Sequence, residues 1–127
     1  MNSGELKRRL DQLKAEEIVW IIYIGIIVLS FYSNTLERKY FINNDLESKE
    51  KYRNIMILIF VILIFVYIYF LKDSFNDVKN LTNEDSMEKK NLTYLSFIGS
   101  LLILISGFIF LYIAIKDEKV DVEIAFN

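Results

Sequence analysis

The chain has 127 residues, a net charge of −2, and no histidine, cysteine or proline. This is one domain's worth of sequence with no basic excess to attract nucleic acid. The missing His and Cys remove disulfides, thiol nucleophiles, thiol lipidation, His-based metal sites and imidazole acid–base pairs. Apolar residues make up 54% of the chain and fall into three blocks, and that blockiness decides the class.

Residues 1–17 are charged and helix-prone. Ser3 is the expected N-cap, Glu5 suits the first turn, and Leu6, Leu10 and Leu13 recur at i, i+4, i+7. Glu5 and Arg9 make a well-oriented i,i+4 pair, and Lys7 with Asp11 the reverse orientation. Three leucines make too narrow a stripe for a firm coiled-coil seam or interfacial helix. A solvated helical lead-in is preferred.

The first span covers 18–36. Trp20 and Tyr23 sit near its start and Tyr32 near its end, at the depths where aromatic belts belong. The Lys7-Arg8-Arg9 cluster invites a signal-peptide reading, but the apolar block is too long and no Ala-x-Ala-like site follows it. It reads as an uncleaved anchor. In the connection, Asn43-Asn44-Asp45 signals a turn, and Asn44 with Glu47 has capping-box spacing. The first helix is expected to run to about Phe41 and the second to start near Asp45.

The second span, 55–71, is the most apolar stretch. Arg53 and Lys72 close it at either end, and within 55–71 lies no charge, no amide and no small residue. At a rise of about 1.5 Å per residue it covers roughly 25 Å, near the lower limit for crossing a bilayer. A helix apolar on every side needs apolar surroundings on every side, and a chain this small cannot supply them as protein. Tyr67 and Tyr69 place this span's end at the membrane interface. Phe75, Val78 and Leu81 carry the helix to a stop near Thr82-Asn83, where Thr82 and Asp85 look like a cap followed by an acid. The third span, 93–115, has Tyr94 and Tyr112 near its two ends. The sequon-like triplets at Asn80 and Asn91 are read as unused.

The tail, 117–127, is acidic and alternates: Val120, Val122, Ile124 and Phe126 on one side, polar and small residues on the other. Period two is a strand pattern, but one strand is stable only when added to a partner's sheet edge or another copy. A frayed terminus is the preferred alternative.

The expected fold is therefore all-α: an integral membrane protein with three transmembrane helices in an up-down-up bundle, and helical extensions beyond the bilayer. Lys and Arg number eight on the side of the N-terminus and second loop, against seven on the other, so the positive-inside rule has little to act on. The early basic cluster tips the expectation towards a cytoplasmic N-terminus. Abundant Ile, Phe, Tyr, Asn and Lys suggest an AT-rich bacterial genome and hence the cytoplasmic membrane of a bacterium.

No Asp, Glu, Lys, Arg, His, Asn or Gln occurs in 18–29, 55–71 or 94–115. Charges at mid-membrane are costly and are kept where ions or protons move, so their absence speaks against a proton-coupled transporter, a voltage sensor or an intramembrane hydrolase. The third span has instead a small-residue arc: Ser96, Gly99, Ser100, Ser106 and Gly107 fall within about 120° at 100° per residue. Gly25 and Ser33 form a thinner version on the first span. These residues have two readings. Spans one and three could pack together, leaving span two to the lipid, or the arc could serve self-association or docking on a larger membrane partner. Asp73 with Asp77, and Glu84, Asp85 and Glu88, read as solvated helix faces; no cofactor and no metal are expected.

The function expected is a non-enzymatic accessory, assembly or regulatory role exerted through helix–helix association. The partners would be the lipid bilayer and either further copies or a larger membrane protein. The alternative is an oligomeric pore or membrane-permeabilising protein. In span number and length it is similar to the three-span phage holins, with no shared motif.

Overall fold

A computed structural model describes residues 1–124 and is all-helical over its spans: α1 (Ser3–Asn43), α2 (Leu46–Lys79) and α3 (Met87–Lys116). Each helix is long and apolar enough to cross a membrane. The charged lead-in and the first span form one helix of 41 residues. At about 1.5 Å per residue it measures roughly 60 Å, twice a hydrocarbon core, so its charged end must stand clear of any bilayer it enters.

The caps explain the boundaries. Asn2, one residue before the expected Ser3, caps α1 by accepting the Glu5 amide at 2.7 Å. In the first turn Arg9 lies 3.8 Å from Glu5, both exposed, and such a pair contributes little. At the other end Asn44 takes the left-handed conformation (φ 53°), which Asn tolerates better than most residues, and its N–H donates to the Tyr40 carbonyl at 2.8 Å. The cap of α2 therefore moves one residue on, from Asn44 to Asp45. The Asp45 carboxylate accepts the Glu47 and Ser48 amides and, at 2.8 Å, the Ser48 hydroxyl. Those bonds, led by the Ser48 hydroxyl, hold the Asp45 carboxyl below the ordinary carboxylate range. In Asp45→Ala the amides of Glu47 and Ser48 should exchange hydrogen faster while mid-helix amides keep their protection. The native cap should weaken in the same way as pH falls through the Asp45 pKa, because a depressed carboxyl contributes only while ionised.

α2 ends at Lys79, about three residues before the expected stop. Asp85 reaches back to accept the Thr82 amide at 2.8 Å, drawing that residue into a turn before the helix can include it. Ser86 then caps α3 by accepting the Lys89 amide.

α2 is the middle helix. It packs on α1 and on α3, while no Cα of α1 comes within 8 Å of one in α3 among the described residues. Phe75 meets Phe97, Tyr67 meets Gly107, Phe60 meets Phe110, and Arg53 donates to the Ile115 carbonyl at 2.9 Å. Numbers climbing on α3 as they fall on α2 mean antiparallel neighbours, and Gln12 donating to Asp73 with Leu36 close to Tyr52 says the same of α1 and α2. The packing of span one against span three, with span two facing lipid, is thus overturned. The connections are short, so helices adjacent in sequence become neighbours in space. The bulky face of α2 (Met56, Ile59, Phe60, Leu63, Ile64 and Val66) then fills the gap between the flanking helices.

At the hairpin tip, burial first and the hydrogen bond to Glu37 next push the Tyr52 hydroxyl well above the usual tyrosine range. An unfolded tyrosine ionises near pH 10 and the folded one does not. The contribution of Tyr52 is therefore complete below about pH 10 and lost as pH rises beyond it. Tyr52→Phe should flatten the alkaline limb of an unfolding curve followed by helical ellipticity.

The tail is neither strand nor frayed end over its described residues. Asp117 accepts the backbone amides of Asp121 and Val122 at 3.1 and 2.7 Å, and Val120 turns at φ 55°. This bend carries Ile124 back onto Tyr52, Met56 and Ala114, where it is buried. The bend breaks the period-two register, and Val122 on the supposedly apolar side is exposed. Phe126, the last residue of that alternation, lies outside the described residues.

Candidate helix-association face

The small-residue arc of α3 does not form one contact. Gly107 is buried where α3 crosses α2, and a Cβ built there would stand 3.1 Å from the Tyr67 ring and 3.4 Å from Ile64. A side chain here would require the Tyr67 ring to give way by a few tenths of an ångström. Gly99 and Gly25 are the opposite case, since a Cβ at either meets nothing within 4 Å. Ser96 and Ser106 are exposed and Ser100 is half-buried. The arc therefore straddles the edge of the α2 contact, with Gly107 inside it and most of the rest on open surface.

The hydroxyls are satisfied within their own helices. Ser100 donates to the Ser96 carbonyl, Ser106 to Leu102 and Ser33 to Ser30, each at 2.9–3.0 Å. Ser33 has no exposed surface at all, so its value to α1 is its small size. Sequence reading missed Ser48 and Ser74, which are also buried, towards the two ends of α2. The signal was there: Ser48, Tyr52, Met56, Ile59, Leu63 and Val66 step by four and three residues, the spacing of a packed helix seam, and Ser74 lies two such steps further on.

Because α1 and α3 diverge, a cleft of about 450 Å³ opens over α2. Tyr23 of α1, Phe60 and Tyr67 of α2, and Ile103, Ser106, Gly107 and Phe110 of α3 line it. With the Ser106 hydroxyl turned back to its own helix, the cleft offers hydrocarbon and aromatic surface and no acid or base.

Trp20, Tyr32, Tyr94 and Tyr112 are exposed, and Trp20 meets Tyr23 edge to face at 5.7 Å. Tyr23 and Tyr67 turn into the cleft instead, and Tyr69 faces the polar crevice at the end of α2. Asp85 pairs with Lys89 at 3.0 Å. Among the described residues no three acidic side chains converge as metal ligands would.

Comparison with family models, with curated proteins and with solved structures returns no match. The geometry has to carry the reading.

Proposed function

We propose that the chain is a multi-pass membrane protein, crossing the bilayer up-down-up, with a non-enzymatic accessory or assembly role exerted through helix–helix association. The observation that carries this is the outward surface of α1 and α3. Gly25, Gly99 and Ser96 lie within apolar spans, on surface that the chain's own packing leaves open. Around them Ile21, Ile24, Ile98 and Leu102 are largely exposed. Lipid tails are as apolar as these side chains, so a helix gains by leaving lipid only where close backbone approach adds contacts, and small residues permit that approach.

The test is Gly25→Leu combined with Gly99→Leu. A Cβ added at either position meets nothing within 4 Å in the monomer, so folding should be unaffected. Crosslinked oligomer, or a co-purifying membrane partner, should fall by about tenfold, the equivalent of about 1.4 kcal/mol. Unchanged association in the double variant would refute the reading. Collapse of the membrane potential on induced expression would favour the pore instead. The serines of α3 give that alternative less support, because Ser100 and Ser106 commit their hydroxyl protons to their own backbone.

A further inference from the structure

The cleft over α2 carries two tyrosine hydroxyls on otherwise apolar walls. Tyr23 and Tyr67 both border it, and among the described residues neither makes a hydrogen bond. Tyr67 stands four residues inside Leu71, the end of the apolar run, which is about 6 Å below the edge of the hydrocarbon. Its ring goes deeper still. Between the contacts of Phe75 with Phe97 and of Phe60 with Phe110, the Tyr67 backbone is level with about Leu104, yet the ring lies against Gly107. Three residues of α3 add roughly 4 Å, in the direction expected of a side chain that tilts towards the start of its own helix. Tyr67 thus turns away from water and headgroups, whereas Tyr23, on antiparallel α1, tilts towards them and meets Trp20.

An unpaired hydroxyl inside hydrocarbon calls for an acceptor. The acyl chain of an ordinary lipid has none to offer at this depth, because its ester groups sit at the boundary. A fatty acid would bring a charge to a cleft that holds no base. A second helix is too large: at about 10 Å across it fills roughly 120 Å³ per residue, so a cleft of about 450 Å³ has room for one turn of it. That volume suits a small ligand. The floor is aromatic, with the Phe60 and Phe110 ring centroids 5.8 Å apart, and such surfaces pack a flat conjugated ring well.

We propose that the cleft binds a membrane quinone, a neutral ring whose carbonyl accepts the Tyr67 hydroxyl. The ring lies on Phe60 and Phe110, and the isoprenoid tail leaves into lipid through the opening between α1 and α3. The proposal rests on the membrane reading but is independent of helix association.

Trp20 is the one tryptophan of the chain, and its contact with Tyr23 at 5.7 Å makes it a reporter on the rim of the cleft. The full chain in phosphatidylcholine nanodiscs is titrated with decylubiquinone, which quenches indole emission. Quenching of Trp20 should contain a saturable part above the linear collisional part. Tyr67→Phe should raise the half-saturating concentration about tenfold, and Tyr112→Phe, near the far end of α3, should leave it in place. Ser106→Phe, which fills the cleft from exposed surface of α3, should abolish saturation. Helical ellipticity checks that the variants fold. Decylbenzene, with the same tail and no acceptor, should not restore emission at equal concentration. Linear quenching alone, or saturation that is indifferent to Tyr67→Phe, would overturn the proposal. Recovery of emission by decylbenzene would show a site for plain hydrocarbon and overturn it too. Saturation lost in the Gly25→Leu, Gly99→Leu double variant would place the site between copies instead of within one chain. A chain that did not enter the discs would bring down the membrane reading itself, which distinguishes the two failures.

Discussion

Gly107→Leu should separate α2 from α3. A Cβ at this position would already stand 3.1 Å from the Tyr67 ring, and the rest of a leucine side chain has to displace that ring into the cleft or wedge between the two helices. Tyr67 borders the cleft and could give way for a methyl group, so Gly107→Ala should be tolerated with a small loss. Leucine should cost about 3 kcal/mol, the upper part of the usual overpacking range. The measurement is the fraction folded during titration from mild detergent into dodecyl sulfate, followed by a distance probe between α2 and α3. Gly99→Leu is the matched control, with the same substitution on the same helix and no neighbour within 4 Å of the added Cβ. If both variants unfold alike, the close approach of α3 to α2 at Gly107 is wrong.

Phe60→Ala is the second large effect, acting by the opposite route. Phe60 is 1% exposed and its ring centroid is 5.8 Å from that of Phe110, so it fills the space in which α2 faces α3 and borders the cleft. Removing the ring leaves a hole that the neighbouring backbones cannot fully close. In a water-soluble core the loss would be about 3–5 kcal/mol. In lipid the transfer part of that loss disappears, because acyl chains solvate a phenyl ring as well as protein does, and mainly the lost contacts remain. An effect of about 2–3 kcal/mol is therefore expected in the same dodecyl sulfate titration. Phe65→Ala is the contrast. Phe65 lies on the exposed face of α2, 69% accessible, and its truncation should leave the titration midpoint in place. Equal effects at Phe60 and Phe65 would mean that α2 is not the helix enclosed by the other two.

The two variants also separate the roles of glycine in this chain. Gly107 is occupied by the chain's own fold and Gly99 is not, although both belong to one small-residue arc. A combined substitution at 99 and 107 would mix a folding defect with an association defect. Pairing Gly99 with Gly25 keeps the association experiment clear of the fold.

Sequence alone determined the three long helices, because their evidence is local. Unbroken apolar runs, flanking charges and the absence of proline each act through the chain's own backbone and its immediate solvent. The N-caps of α1 and α2 were legible to within one residue for the same reason, whereas Ser86 caps α3 four residues beyond the expected Thr82. Asn44 was the expected cap of α2, and the left-handed preference of Asn with the acceptor strength of Asp moved that role to Asp45. Tertiary structure alone decided which helix is central. A helix that is apolar all round carries no stripe to show where its neighbours lie, and the length of the connections with the fit of bulky against small residues settled it. The same holds for Gly107 against Gly99, which lie on one arc in sequence and are told apart only by where Tyr67 stands. It holds too for the tail, whose alternation gave way once Asp117 captured two of its amides and Ile124 found an apolar seat.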